Sequence, residues 1–91
     1  MSSLELLAQE ARNQIRQMLE LIDEQERHLR MLQTVVGHIG LETAEGRQVS
    51  AALEEEIRAK ERTLRALRRF LDVELRRLQE LEDALALRPR R

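Results

Sequence analysis

Apolar residues recur along this chain in steps of three and four residues, or in sums of these steps. They fall at Leu4, Ala8, Ala11, Ile15, Met18, Ile22, Leu29, Leu32, Val36 and Ile39, and again at Leu53, Ile57, Leu64, Leu67, Leu71, Leu78, Leu81 and Leu85. We call these positions the seam. Such heptad spacing puts one apolar line along a helix and is typical of coiled coils and helical bundles. The sequence therefore predicts an all-α fold.

The ends of the first helix have recognisable signals. Ser2 and Glu5 have the Ser-x-x-Glu spacing of a capping box, in which side chain and backbone satisfy each other's polar groups. At the other end, Gly40 is expected to adopt the left-handed conformation that closes a Schellman motif. Leu41 would then contact Val36. These signals predict a long first helix that stops at a glycine.

The second helix is expected to begin after Thr43, because a threonine side chain can accept a hydrogen bond from the first turn. From Val49 to Leu87 no glycine or proline interrupts the helical pattern, and a proline follows close to the end of the sequence. We therefore predict a single domain, consisting of a helix at 3–39, a turn at 40–43, a helix at 44–87 and a basic tail at 88–91.

Two nearly equal halves joined by a glycine-containing segment favour an antiparallel, coiled-coil-like hairpin. The alternative is one continuous rod, which would extend roughly 130 Å at 1.5 Å per residue. The continuous rod remains an alternative because Thr43, Gly46 and Ser50 occupy seam positions, so the heptad phase is kept across the joint. These side chains bury almost nothing, so we predict the hairpin.

Further apolar residues widen the stripe beyond the seam, and we predict that they form an interface. They are Leu7, Leu19, Leu21, Val35, Phe70, Val73 and Leu75. A wide stripe is typical of a bundle, and leaving a leucine or phenylalanine exposed forgoes roughly 1.5–3 kcal/mol. We expect two hairpins to pair into a homodimeric four-helix bundle, or a helix of another protein to bind there. Phe70, the only aromatic residue, is the expected anchor.

Composition and charge limit the classes of protein to which this chain could belong. The formal net charge is −1, so no overall field attracts nucleic acid or an anionic membrane. The chain has no cysteine and no apolar run of the ~18–20 residues that a membrane span needs. We expect a cytoplasmic, non-enzymatic interaction protein without a cofactor, acting as an adaptor, assembly factor or small chaperone.

Three polar residues interrupt the apolar seam, at Gln25, Lys60 and Glu74. Polar groups at such positions often fix the register between helices. A turn centred near residues 41–42 would put Lys60 opposite Asp23 and Glu24. We expect these seam residues to set register or solubility.

The same residues leave open an enzymatic alternative. All-helical chorismate mutases bind a dicarboxylate between several cationic side chains inside a bundle. This chain offers Lys60 and Glu74 but no neighbouring seam arginine. Glu74 is instead expected near Gln9 and Arg12, where it would pair across the hairpin. A structural role is therefore the preferred interpretation.

A row of arginines follows the back of the second helix, at Arg58, Arg62, Arg65, Arg69 and Arg76. Such a row could contact phosphates, so a small nucleic-acid-binding regulator stays an alternative. Acidic residues are interleaved with the row, and no aromatic ring is available for stacking on bases. We therefore expect a solvated, ion-paired face.

The two histidines do not predict a metal site. His28 and Glu24 are four residues apart and share a helix face, but two ligands do not make a site. His38 falls at the expected end of the first helix, where the helix dipole favours a cation.

Overall fold

The computed structural model describes residues 2–87, which form two helices packed side by side. Helix α1 spans Ser3–Gly37 and helix α2 spans Ala44–Ala86. The helices run antiparallel, and the molecule measures 75 × 15 × 14 Å. The chain therefore folds back as a hairpin and is not a continuous rod. The predicted basic tail, 88–91, lies outside the described residues.

Both predicted N-terminal caps are confirmed. At α1 the backbone N–H of Glu5 donates to Ser2 Oγ at 3.2 Å, and the Ser2 N–H donates to Glu5 Oε2 at 3.4 Å. At α2 the Gly46 N–H donates to Thr43 Oγ1 at 2.9 Å. Each cap satisfies backbone donors that have no partner within the first helical turn.

The end of α1 differs from the prediction. The helix stops at Gly37, and His38 caps it with φ −101° and ψ −2°. The His38 N–H donates to the Val35 carbonyl at 3.0 Å, and its ring donates to the Thr34 carbonyl at 2.7 Å. No glycine in residues 2–87 has a positive φ, so the expected left-handed Gly40 is wrong. Because these bonds already satisfy the last carbonyls, the helix end does not require a left-handed residue.

A close backbone approach closes the turn. A Cβ added to Gly46 would collide with the carbonyl oxygen of Gly40, so only glycine fits there without movement. Arg47 Nη1 donates to the Leu41 carbonyl at 2.9 Å and holds the connection against the start of α2. The glycine that lowers helix propensity is therefore needed for the turn.

The apolar seam lies between the helices as predicted, since each of its residues is buried or half-buried. The most deeply buried residues are Ala8, Ala11, Ile15, Ile22, Leu32, Ile57 and Leu64, together with the polar Ser50. No large side chain in residues 2–87 is completely shielded from solvent. Two helices alone thus provide only a thin interior, which leaves apolar surface for a further contact.

Candidate protein-interaction surface

Two of the three polar seam residues bind each other. Lys60 Nζ donates to Gln25 Oε1 at 2.7 Å across the hairpin, in a partly buried position. Within residues 2–87, no carboxylate lies in ion-pair distance of Lys60. The partner of this cation is therefore a neutral amide in the seam, and not Asp23 or Glu24 as its expected position suggested.

The third polar seam residue, Glu74, is poorly satisfied. Its side chain is only 19% exposed, and its nearest cation is Arg77 Nη1 on the next turn, at 3.8 Å. Glu74 Oε2 is buried and accepts no hydrogen bond. Since a buried carboxylate oxygen without a donor costs free energy, this site is a local weakness in the hairpin.

Glu74 also lies at a different level along the long axis of the hairpin from the one expected. It borders a groove with Gln14 and Met18, whereas Arg12 forms its ion pair with Glu82. The predicted neighbours of Glu74, Gln9 and Arg12, are thus wrong by about one to two helical turns. The cross-helix pairs Gln25–Lys60, Glu26–Arg68 and Arg12–Glu82 are all centred beyond residues 41–42, so the register of the hairpin is displaced toward α2 relative to the prediction.

This groove brings two of the predicted interface residues together. It has a volume of about 370 Å³ and is lined by Gln14, Gln17, Met18, Leu21, Phe70 and Glu74. Phe70 is 64% exposed and Leu21 is 40% exposed, although both are large and apolar. An adjoining depression continues along α2 past Phe70 to Val73. An apolar patch therefore crosses from one helix to the other.

Heptad spacing extends this patch along the hairpin. Leu7, Leu21 and Val35 are separated by multiples of seven residues, so they follow one line along α1. We call the surface formed by Leu7, Leu21, Val35, Phe70 and Val73 the Phe70 face. Sequence reasoning missed Gln14 and Gln17 as its groove-lining residues. The spacing would have shown Gln14, which lies halfway between Leu7 and Leu21.

The remaining interface candidates, Leu19 and Leu75, lie on the opposite side. Two ion pairs join the helices there in the described structure, Arg12 Nη2–Glu82 Oε1 at 3.6 Å and Arg68 Nη2–Glu26 Oε1 at 3.0 Å. Leu19 is seven residues from both α1 members of these pairs, and Leu75 is seven residues from both α2 members. We call this side the ion-paired face. The seven candidate residues are all exposed, but they are divided between two faces.

The arginine row is less paired than expected. Arg58 donates to Glu55 Oε1 at 2.7 Å, and this hydrogen bond, helped by the charge of Arg58, lowers the pKa of Glu55 below its usual value. The other members have no carboxylate within 4.0 Å in residues 2–87, and they are Arg62, Arg65, Arg69 and Arg76. The expectation of an ion-paired row is therefore wrong for these four. The electrostatic energy of an exposed ion pair is small, and it does not exceed the conformational entropy that two long side chains lose when they pair.

The described residues contain no cluster of three or more histidine or acidic side chains that could hold a metal ion, so His28 and Glu24 gain no third ligand. Neither α1 nor α2 has a stretch both long and apolar enough to cross a bilayer. The chain matches no protein-family model, no curated protein and no solved structure.

Proposed function

We propose that this chain is a non-enzymatic helical interaction protein that self-associates through the Phe70 face. It would work as an adaptor, assembly factor or small chaperone built on a homodimeric four-helix bundle. The observation that carries the proposal is the position of Phe70. The only aromatic side chain of the protein is 64% exposed beside an apolar groove, on a hairpin with a thin interior.

The two faces differ in a way that supports this choice. The ion-paired face is bridged twice between the helices, so Arg12, Glu26, Arg68 and Glu82 already have partners there. Among the described residues, no ion pair bridges the helices on the Phe70 face. Covering this face costs little desolvation of charge and removes one phenylalanine, two leucines and two valines from water.

The chemistry of the groove supports a binding role over catalysis. Glu74 is its only titratable side chain, and the remaining lining is apolar or amide. A dicarboxylate substrate requires several cations, and no cationic side chain lines this groove. Apolar lining next to an exposed aromatic anchor is instead what helix-binding grooves present.

The mass of the purified protein tests the proposal directly. We expect sedimentation equilibrium to give twice the chain mass of 10.7 kDa. Phe70→Ala should weaken the dimer at least tenfold, with helix content by circular dichroism nearly unchanged. Leu75→Ala is the matched control, because Leu75 is also exposed, at 46%, but lies on the ion-paired face. A parent protein that stays monomeric at high concentration would overturn the proposal, as would equal effects of both substitutions.

A second candidate function is nucleic-acid binding through the arginine row. The observation that favours it is that Arg62, Arg65, Arg69 and Arg76 have no acidic partner within the described residues. Phosphate contacts release counterions, so binding of a duplex measured by fluorescence anisotropy should fall steeply between about 50 and 200 mM salt. Binding that is absent, or that survives Arg62→Gln combined with Arg69→Gln, would exclude this function.

A further inference from the structure

The Phe70 face has edges of opposite charge. The edge on α1 carries exposed carboxylates, at Glu10, Glu20 and Glu24, and the edge on α2 carries exposed arginines, at Arg62, Arg69 and Arg76. None of these six side chains has an ion-pair partner in the part of the chain that the structure describes. The charges that flank the face are therefore free to pair with a second molecule.

The other charges near these edges are mostly satisfied within the hairpin. Arg27 on α1 binds Asp23 at 3.3 Å, and Arg77 on α2 lies 3.8 Å from Glu74. The unpaired acids Glu56 and Glu80 on α2 lie beyond the two ends of the arginine row, whereas Glu61 and Asp72 lie within its span. Glu61 is seven residues before Arg68 and so belongs to the ion-paired face, and Asp72 alone does not outweigh the arginines around it. The central part of the face thus keeps one acidic edge and one edge that is basic on balance.

The two edges are also level with each other. The cross-helix contacts Arg12–Glu82, Gln25–Lys60 and Glu26–Arg68 fix which parts of α1 and α2 lie at one height. By the average of these three contacts, the levels of Glu20 and Arg69 along the hairpin differ by only about 3 Å. Those of Glu10 and Arg76, and of Glu24 and Arg62, differ by about one and a half helical turns.

We infer that two copies associate with their turns at the same end, so that each α1 packs on α2 of the other copy. A two-fold axis parallel to the long axis of the hairpin keeps every residue at the same level along that axis in both copies. It also brings the acidic edge of one copy against the arginine edge of the other. The central pair would be Glu20 of one copy with Arg69 of the second. The same operation places Leu21 of each copy next to Phe70 of the other.

The opposite arrangement brings like charges together. If the two-fold axis ran across the hairpin, α1 would pack on α1 and α2 on α2. The arginine row would then face itself, and the carboxylates would face carboxylates, which destabilises an interface. The apolar residues of the Phe70 face would meet in either case, so the edge charges select between the two arrangements.

This inference rests on the proposed self-association. A distance measurement tests the orientation of the two copies separately from whether they associate. The chain has no cysteine, so Glu42→Cys in the turn provides a single site for a nitroxide label. We expect a pulsed electron paramagnetic resonance distance well below half of the 75 Å hairpin length. A dimeric mass with labels near opposite ends of the bundle would overturn the arrangement and leave self-association intact. A monomeric mass without a dipolar signal would overturn both.

Charge reversal gives an independent test. Glu20→Arg should weaken the dimer several-fold, because it faces Arg69 of the second copy, and Arg69→Glu in the same chain should restore the affinity. Glu20 and Arg69 lie on the outer sides of the two helices of one hairpin, so rescue cannot arise within a single copy. In the crossed arrangement Glu20 would not meet Arg69, so a double variant that is no tighter than the single variant contradicts the inference.

Discussion

Lys60 donates a 2.7 Å hydrogen bond to Gln25 and thereby joins the middle of α2 to α1 across the seam. The bond pairs a cation with an amide in a position where the heptad otherwise has apolar residues. A single polar pair of this kind specifies register at some expense of stability, because the same two positions filled by leucine would bury more apolar surface.

Replacing both partners should therefore stabilise the hairpin. We expect Gln25→Leu combined with Lys60→Leu to raise the free energy of unfolding by about 1–2 kcal/mol in urea titrations. Gln25→Leu alone should be neutral or destabilising, since it leaves a half-buried ammonium group without its acceptor. If the single variant is as stable as the double variant, the hydrogen bond has no measurable role.

Glu74 offers a second place where a polar group lowers stability. Its buried Oε2 has no hydrogen-bond donor, and it lies beside Met18 and Phe70. We expect Glu74→Leu to raise the free energy of unfolding by about 1–2 kcal/mol. Glu82→Leu is the control, because Glu82 is paired with Arg12 across the hairpin. We expect the Glu82→Leu protein to be as stable as the parent or less stable. A loss of stability in Glu74→Leu would show that this carboxylate has a favourable partner.

Replacing glycine by alanine should change the stability of the protein in opposite directions at two positions near the turn. Gly46→Ala places a methyl group against the Gly40 carbonyl, and we expect a loss of about 1–3 kcal/mol despite the better helix propensity of alanine. Gly37→Ala meets no atom within 4 Å and lies in the last turn of α1, so it should gain about 0.4–1 kcal/mol. Thermal unfolding of both variants checks the pair, and a stabilised Gly46→Ala would mean that the turn relaxes freely.

The Glu55–Arg58 pair predicts a measurable titration. The hydrogen bond from Arg58 is the largest cause of the lowered pKa of Glu55, and the charge of Arg62 makes only a small contribution. Carbon-detected NMR titration should show the pKa of Glu55 rising clearly in Arg58→Gln and only slightly in Arg62→Gln. Equal responses to the two substitutions would contradict the assignment.

The sign of the linked pH effect follows from the direction of this shift. Because folding lowers the pKa of Glu55, the contribution of the pair to stability is complete above the pKa of the unfolded chain. It is lost as the pH falls through the lowered pKa of the folded state. The side chains are exposed, so the effect on the whole protein should be small.

The features that could be predicted from the sequence depend on local chemistry. The seam follows from a period that persists along each helix, and the caps at Ser2 and Thr43 follow from side chains that bond to their own first turn. The end of α1 was mispredicted because a glycine signal does not show which carbonyls are already satisfied. His38 satisfies them instead of a left-handed Gly40.

Features that depend on the register between helices were harder to predict. The neighbours of Glu74 depend on the residue about which the two helices are paired, and a shift of a few residues there changes every cross-helix pair. The pairing state of Arg62 and Arg69 depends on side-chain rotamers, for which the acid–base spacing along the helix is a weak guide. The exposed position of Phe70, in contrast, follows directly from the apolar excess beyond the seam.

The thin interior links the stability of this hairpin to the proposed self-association. No large described side chain is fully shielded, so the hairpin alone buries little apolar surface, and a dimer would cover the Phe70 face as well. For such a dimer, mass action would raise the melting temperature with the concentration of the chain. The amount of chain that a cell makes would then determine what fraction of it is folded, and dilution alone would expose it to proteolysis.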